Sequence, residues 1–199
     1  MPKSPQISPT QLPQSLLMSD DALVTFDFAH QAGAAVPFHD VGYMPVNQLT
    51  IAGHGQELPS GPNGIFISYS GDGVQNLATG TVDYTSLHYE LVSYKGPHAT
   101  FSHLADGTPV VNGAHHQIVL AQGDLIPGQG HIQFNPSGGI NGQLNASMQI
   151  DGKTVGALDI SVYHAAGDVH PILGKTGQLS GLTLDQGTLH AIFVPLTVG

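Results

Sequence analysis

From residue 22 onward the chain is a succession of short β-branched and aromatic runs broken by Gly, Pro, Asn and Asp. No long helical period survives 26 glycines and 14 prolines. The runs predict strands over 22–29, 46–52, 64–70, 80–94 and 98–103, and then over 115–122, 129–135, 140–150, 153–164 and 188–196. Roughly ten strands at this spacing predict a single all-β domain over 20–199. It would be an antiparallel β-sandwich of jelly-roll type or a closed β-barrel.

Asp151-Gly152 between two β runs predicts a hairpin with a type I′ turn, in which both turn residues take positive φ. Before it, Leu144, Ala146, Met148 and Ile150 alternate with polar residues; after it, Leu158, Ile160 and Val162 form the apolar face. Strict pairing would set Leu144 against Asp159, on the wrong face. A one-residue bulge at Gly156 restores the phase. Ser70-Gly71-Asp72-Gly73 and Ala105-Asp106-Gly107 read as turns, and 122–131 (QGDLIPGQGH) reads as a loop. The stretch 165–187 has no strong period and reads as a long loop with a short edge strand. Pro2, Pro5, Pro9 and Pro13 predict an extended tail over residues 1–19, either solvated or an arm that docks on a neighbouring subunit.

Composition narrows the function. Charged residues make up 9% of the chain, against roughly 25% in ordinary soluble domains. There is no arginine, and the lysines are Lys3, Lys95, Lys153 and Lys175. Phosphate or nucleic-acid recognition takes arginine forks or clustered lysines, so nucleic acid is not an expected partner. Against 14 carboxylates stand 12 histidines, and the formal charge of −10 assumes them neutral. Acidification to about pH 5 would cancel most of that charge, so solubility or self-association should change with pH. Cysteine is absent, which excludes disulfides and thiolate chemistry. The N-terminus lacks the apolar core of a signal peptide, and no stretch is long enough for a transmembrane helix. The weakly charged polar surface nonetheless suggests a protein extracellular or assembled outside the cytoplasm, its leader absent or already removed.

Candidate chemistry rests on histidine and carboxylate. His88 and Glu90 sit at i and i+2 in LHYEL, sharing parity with Tyr84. Inside a barrel, such a trio would form a catalytic acid–base set. On a half-buried strand, Leu87, Tyr89 and Leu91 would take the core and His88 and Glu90 the water. His164, Asp168 and His170 could fold around a divalent metal, the one cofactor the sequence suggests. His115 and His116 are adjacent and His98 and His103 differ in parity, so on regular strands neither pair converges. Asp72, Asn76, Asp106, Asn112 and Asp124 lie near glycine turns, where turn chemistry accounts for them as well as calcium would. No P-loop, nucleophile elbow, dinucleotide fingerprint or H-E-x-x-H occurs.

Two function classes follow. One is a non-enzymatic β-domain for surface binding or assembly, a matrix, appendage or capsid-type component that self-associates through polar and backbone groups. The other is a small β-barrel isomerase, cyclase or carrier for an apolar small molecule, with a His/Glu pair in the barrel.

Overall fold

The alternation of large apolar and polar side chains does produce an all-β molecule. The computed structural model describes residues 14–51, 54–57, 63–96, 99–175 and 177–196. Fourteen strands occur in chain order: β1 (Ser15–Met18), β2 (Asp21–Phe26), β3 (Ala35–Ile51), β4 (His54–Glu57), β5 (Asn63–Asn76), β6 (Thr81–Lys95) and β7 (Thr100–His103). They continue with β8 (Pro109–Asn112), β9 (His115–Phe134), β10 (Ile140–Ile150), β11 (Lys153–His164), β12 (Val169–Leu173), β13 (Leu179–Asp185) and β14 (Thr188–Pro195).

Eight of these strands close an antiparallel barrel in the order β1-β14-β11-β10-β9-β6-β5-β3, with β3 returning to β1. The long β3 serves two neighbours on one edge. Its Phe38–Tyr43 stretch pairs β2, while Val46–Thr50 pairs β1. A flap therefore leaves the barrel at β2 and continues through β13 to β12. The hairpin β7–β8 forms a separate ribbon. It rests on the aromatic patch of Tyr43, Phe66 and Tyr94, with Phe101 5.5 Å from Phe66 between ring centres.

Inward positions alternate as the pleat requires. Leu16 and Met18 of β1, Ile67 of β5, and Leu158 and Ile160 of β11 are each at most 2% exposed. The β10–β11 hairpin follows the sequence closely. Asp151 and Gly152 take φ of 50° and 72°. Met148 pairs Gly156 while Gln149 pairs Thr154, so Val155 is the extra residue and Leu144 meets Ile160.

Three stretches differ from expectation. Ser70–Gly73 is mid-strand in β5, not a turn, because glycine here serves close approach. A Cβ on Gly73 would collide with the Phe38 ring and the Asp83 carbonyl. The expected loop 122–131 is the middle of β9; its bulged part, Pro127–Gln129, is a run of three exposed residues beside the barrel. The stretch 165–187 contributes β12 and β13, whose Leu182 and Leu184 enter the core. Of the Pro-rich stretch, residues 1–13 lie outside the described residues, while Ser15–Met18 is the strand that closes the barrel.

Closure through so short a strand makes its two inward side chains matter. Leu16→Ala is expected to destabilise the fold by about 2–5 kcal/mol, the cost of a buried leucine truncation. Urea unfolding followed by far-UV circular dichroism measures it. A loss within about 0.5 kcal/mol, the size of an ordinary surface effect, would show that β1 does not hold the barrel shut.

Candidate functional site

Inside this apolar barrel lies a polar cluster drawn from six places in the chain. Asp20 sits in the link where β1 hands over to β2. Asp40 lies on β3, Tyr69 and Gln75 on β5, Tyr84 on β6, and His164 at the end of β11. Asp20, Asp40, Gln75 and His164 are the buried polar residues among those described, and His164 is fully buried. Two glycines make the room. A Cβ on Gly42 would stand 2.8 Å from the Tyr69 hydroxyl oxygen, and one on Gly187 would overlap the His164 ring.

The hydrogen bonds run from tyrosine to carboxylate. Tyr84 Oη donates to Asp40 Oδ2 at 2.5 Å. Tyr69 Oη donates to Asp20 Oδ1 at 3.2 Å and is 3.5 Å from Asp40 Oδ1. His164 Nε2 lies 3.3 Å from Asp20 Oδ2, but off the hydrogen-bond direction, so neither ring nitrogen has a partner. Gln75 Oε1 is likewise unpaired. These groups border a cavity with about 40 Å³ of space for water centres, walled mainly by apolar side chains such as Phe26, Phe38, Phe134 and Leu189. A water position takes roughly 10–15 Å³ on this measure, so the space suits a few heavy atoms.

Burial sets the protonation. Loss of water around Asp40, aided by the nearby Asp20 charge, pushes its pKa from 3.8 up to about 7. The Tyr84 hydrogen bond and the nearness of His39 and His164 oppose the shift. Burial, then the neighbouring carboxylates, hold Tyr69 and Tyr84 well above the ordinary phenol value. The cluster thus contains neutral hydroxyl donors, a carboxyl poised near neutrality and a histidine with free nitrogens. These are the ingredients of proton transfer in a water-poor site.

The sequence-derived sites fare differently. Tyr84 belongs to this cluster, but His88 and Glu90 do not. Gly73 pairs Tyr84 while Asp72 pairs Ser86, so Thr85 is bulged and the parity between Tyr84 and His88 is broken. Leu87, Tyr89 and Leu91 therefore face the core, and His88 and Glu90 stand on the outer face. His88 Nδ1 there meets Asp124 Oδ1 at 2.8 Å. His164, Asp168 and His170 are not brought together. His164 is inside the barrel, Asp168 accepts from the Ala165 amide at 2.9 Å, and His170 lies 3.3 Å from Asp185. The one-turn 3-10 helix at Ala166–Asp168 spends the Asp168 carboxylate on its own backbone.

His115 and His116 are exposed at the start of β9, and His98 lies outside the described residues. The turn acids keep local partners: Asp72 meets His39 and Ser86, and Asp106 accepts from the Thr108 amide. Nothing along the chain singles out Asp20 and Asp40. Each is one of many Asp residues in a polar-looking stretch, and the register that turns it inward arises from pairing across 20–50 residues of chain.

The pKa of Asp40 ties stability to pH. Its folded value of about 7 exceeds the unfolded 3.8, so the cost of an ionised buried carboxylate is complete above pH 7 and vanishes as pH falls toward 3.8. Stability is expected to rise from pH 8 to pH 5, with Asp40 contributing on the order of 2–3 kcal/mol over that interval and the rest only as pH falls on toward 3.8. Asp40→Asn should flatten this dependence while keeping an acceptor for Tyr84. Urea titrations at both pH values check it, and an undiminished slope in the variant would contradict the assignment.

Comparison of the chain with family models, with curated proteins and with solved structures finds no match to any of them, so its function is read from these residues alone.

Proposed function

We propose that the barrel interior takes up a small molecule carrying one carbonyl or hydroxyl group and moves a proton on it, as an isomerase-type site. The observation that carries this reading is His164, fully buried beside a cavity with neither ring nitrogen hydrogen-bonded. Buried imidazole nitrogens are costly to leave unpaired, so a group in the cavity has energy to gain from meeting them. His164 is the base in this reading. Tyr84, or Asp40 in its neutral form, is the donor to the oxygen that gains charge as the substrate enolises. A cavity of about 40 Å³ restricts the substrate to a few heavy atoms. Ordinary drug-sized sites span about 300–1,000 Å³, so a bulky lipophile would need side chains to move aside.

The test uses 2-butanone as probe in deuterated water, with exchange at its α-carbons followed by NMR. Saturable exchange above buffer background is expected. It should fall at least tenfold in His164→Gln and stay unchanged in His88→Ala. Exchange equal in wild type and His164→Gln, or none above buffer, would sink the reading.

A second reading, assembly without catalysis, has its own support. Residues His115–Leu120 of β9 pair β6 on one side, while pairing with β10 begins only at Gln122, leaving the other edge open. Ile118 and Val119 there are 60% and 47% exposed. An open edge is self-complementary in the antiparallel sense, which suits a second copy of this chain across a two-fold axis. Sedimentation velocity is expected to reveal a dimer that grows as pH falls from 7.5 to 5.5, where protonated histidines offset the negative charge. The pair Ile118→Lys and Val119→Lys should abolish it. A monomer at both pH values, or a dimer indifferent to the two lysines, would remove this reading.

A further inference from the structure

On the outer face of the flap, Asp21 opens β2 and Asp185 closes β13, and the two are directly opposite in the antiparallel pairing. Their neighbours Ala22 and Leu184 point into the core, so both carboxylates project outward together. Like charges directly opposite are destabilising unless something cationic lies between them. Two histidines approach from separate elements. His103, at the end of β7, brings Nδ1 to 2.9 Å from Asp185 Oδ1. His170, on β12, brings Nε2 to 3.3 Å from Asp185 Oδ2. One ligand atom from each of Asp21, His103 and Asp185 lies within 4.8 Å of the others, and all three residues are half-buried.

The tautomer of His103 gives the cluster its meaning. Its Nε2 lies 3.0 Å from the Ala22 carbonyl oxygen, an atom that can only accept, so Nε2 carries a hydrogen. If the ring is neutral, Nδ1 is then a bare lone pair aimed at two carboxylates. That arrangement calls for either a second proton on the ring or a metal ion. An imidazole that gives one N–H to a backbone carbonyl and turns its other nitrogen to carboxylates is the usual posture of a metal-ligating histidine. Burial raises the pKa of Asp21; His103 opposes that shift, and the Asp20 and Asp185 charges add to it, so a cation here would relieve the carboxylates.

We infer that Asp21, His103 and Asp185 form a site for one divalent transition-metal ion of the zinc type, with His170, which lies beside Asp185 but outside that three-residue group, turning in as a fourth ligand when the ion binds. A donor set of two carboxylates and the His103 imidazole, completed by His170, suits such an ion better than calcium, which takes six to eight oxygens. The ion and a proton compete for the His103 Nδ1 lone pair, so uptake is linked to proton release and weakens as pH falls. The ion would fasten the β7–β8 hairpin to the β2–β13–β12 flap. This site stands apart from the barrel interior and is independent of the proton-transfer reading.

The experiment takes the full chain, stripped with chelator, and titrates it with Zn²⁺ by calorimetry in buffers of differing ionisation enthalpy. One ion per chain with proton release is expected, together with a rise in melting temperature. His103→Gln and Asp185→Asn should each weaken binding at least tenfold, and His115→Gln/His116→Gln should leave it unchanged. Co²⁺ in place of Zn²⁺ should give the intense visible bands of a four-coordinate N/O site in the wild type and lose them in Asp185→Asn. If His103→Gln does not fold, Asp21→Asn carries the same test, with circular dichroism verifying its fold. Absence of stoichiometric uptake, affinity unmoved by Asp185→Asn, or loss confined to the His115/His116 variant would each overturn the inference.

Discussion

Everything in this molecule hangs on how its barrel is shut. β1 is four residues long, yet it is bonded to β14 along one edge and to β3 along the other. Without it, both long neighbours would present open edges and the inward faces of β3 and β14 would meet water. The same short strand forces the polar interior into being. β3 is too long for one neighbour, so the chain must step from pairing its far half to pairing its near half at Ser19–Asp20. That step places Asp20 at a seam in the wall, 2% exposed. A lone carboxylate there would be costly, and Tyr69 and the nearby His164 are what the barrel offers it. Asp40, two residues before Gly42, shares Tyr69 and takes Tyr84. Closure and chemistry are therefore one problem: the seam demands a polar group, and the polar group demands partners that are then available to a ligand.

The missing arginine has a structural counterpart. Among the described residues, seven histidines stand within 3.3 Å of an aspartate oxygen: His30, His39, His88, His103, His131, His164 and His170. Histidine occupies the places where arginine or lysine would ordinarily pair, which makes the ionic contacts conditional on pH. The hydrogen bond that His131 donates to Asp83 raises the pKa of His131, so its contribution is complete below about 6.5 and lost as pH climbs through the raised value. Asp27 and Asp72 are lowered by His30 and His39, so theirs is present above 3.8 and lost as pH falls through the lowered values. The exposed pairs overlap in mildly acidic solution. Since the raised Asp40 acts in the same sense, surface and interior favour the fold on the acid side of neutrality.

How much of this was legible depends on whether a feature is local. The β10–β11 hairpin is readable nearly to the residue, with the extra residue at Val155 and not the expected Gly156, because its register is set by a two-residue turn and adjacent apolar faces. β3 was half missed: Pro37, Gly42 and Pro45 resemble breakers, though Pro37 and Pro45 sit comfortably in the ladder opposite Val74 and Phe66. Gly71 and Gly73 were taken for a turn because one sequence cannot tell a glycine that bends the chain from one that lets a ring approach. The Tyr84/His88 parity failed for a related reason. The Thr85 bulge opposes an irregular stretch of β9, where Asp83 pairs His131 and His88 pairs Asp124, and nothing in β6 alone announces it. Asp21 and Asp185 were invisible as a pair, since 164 positions separate residues that the flap sets face to face.

The β7–β8 hairpin shows why that last pairing matters to the shape of the molecule. It shares no ladder with the barrel or the flap, so side chains alone hold it. At one end Phe101 packs against Phe66, Tyr43 and Tyr94, contacts worth roughly 0.5–1.5 kcal/mol each beyond their buried area and indifferent to pH. At the other end His103 reaches the Ala22 carbonyl oxygen at 3.0 Å and Asp185 at 2.9 Å, polar contacts in place of apolar ones. Gly107 closes the arrangement, with space for a Cβ denied by Ile172, Leu23 and Thr183 beneath it. The hairpin is thus held against the barrel by aromatic packing and against the flap by both the Gly107 contact and the polar contacts of His103, so no single attachment carries it.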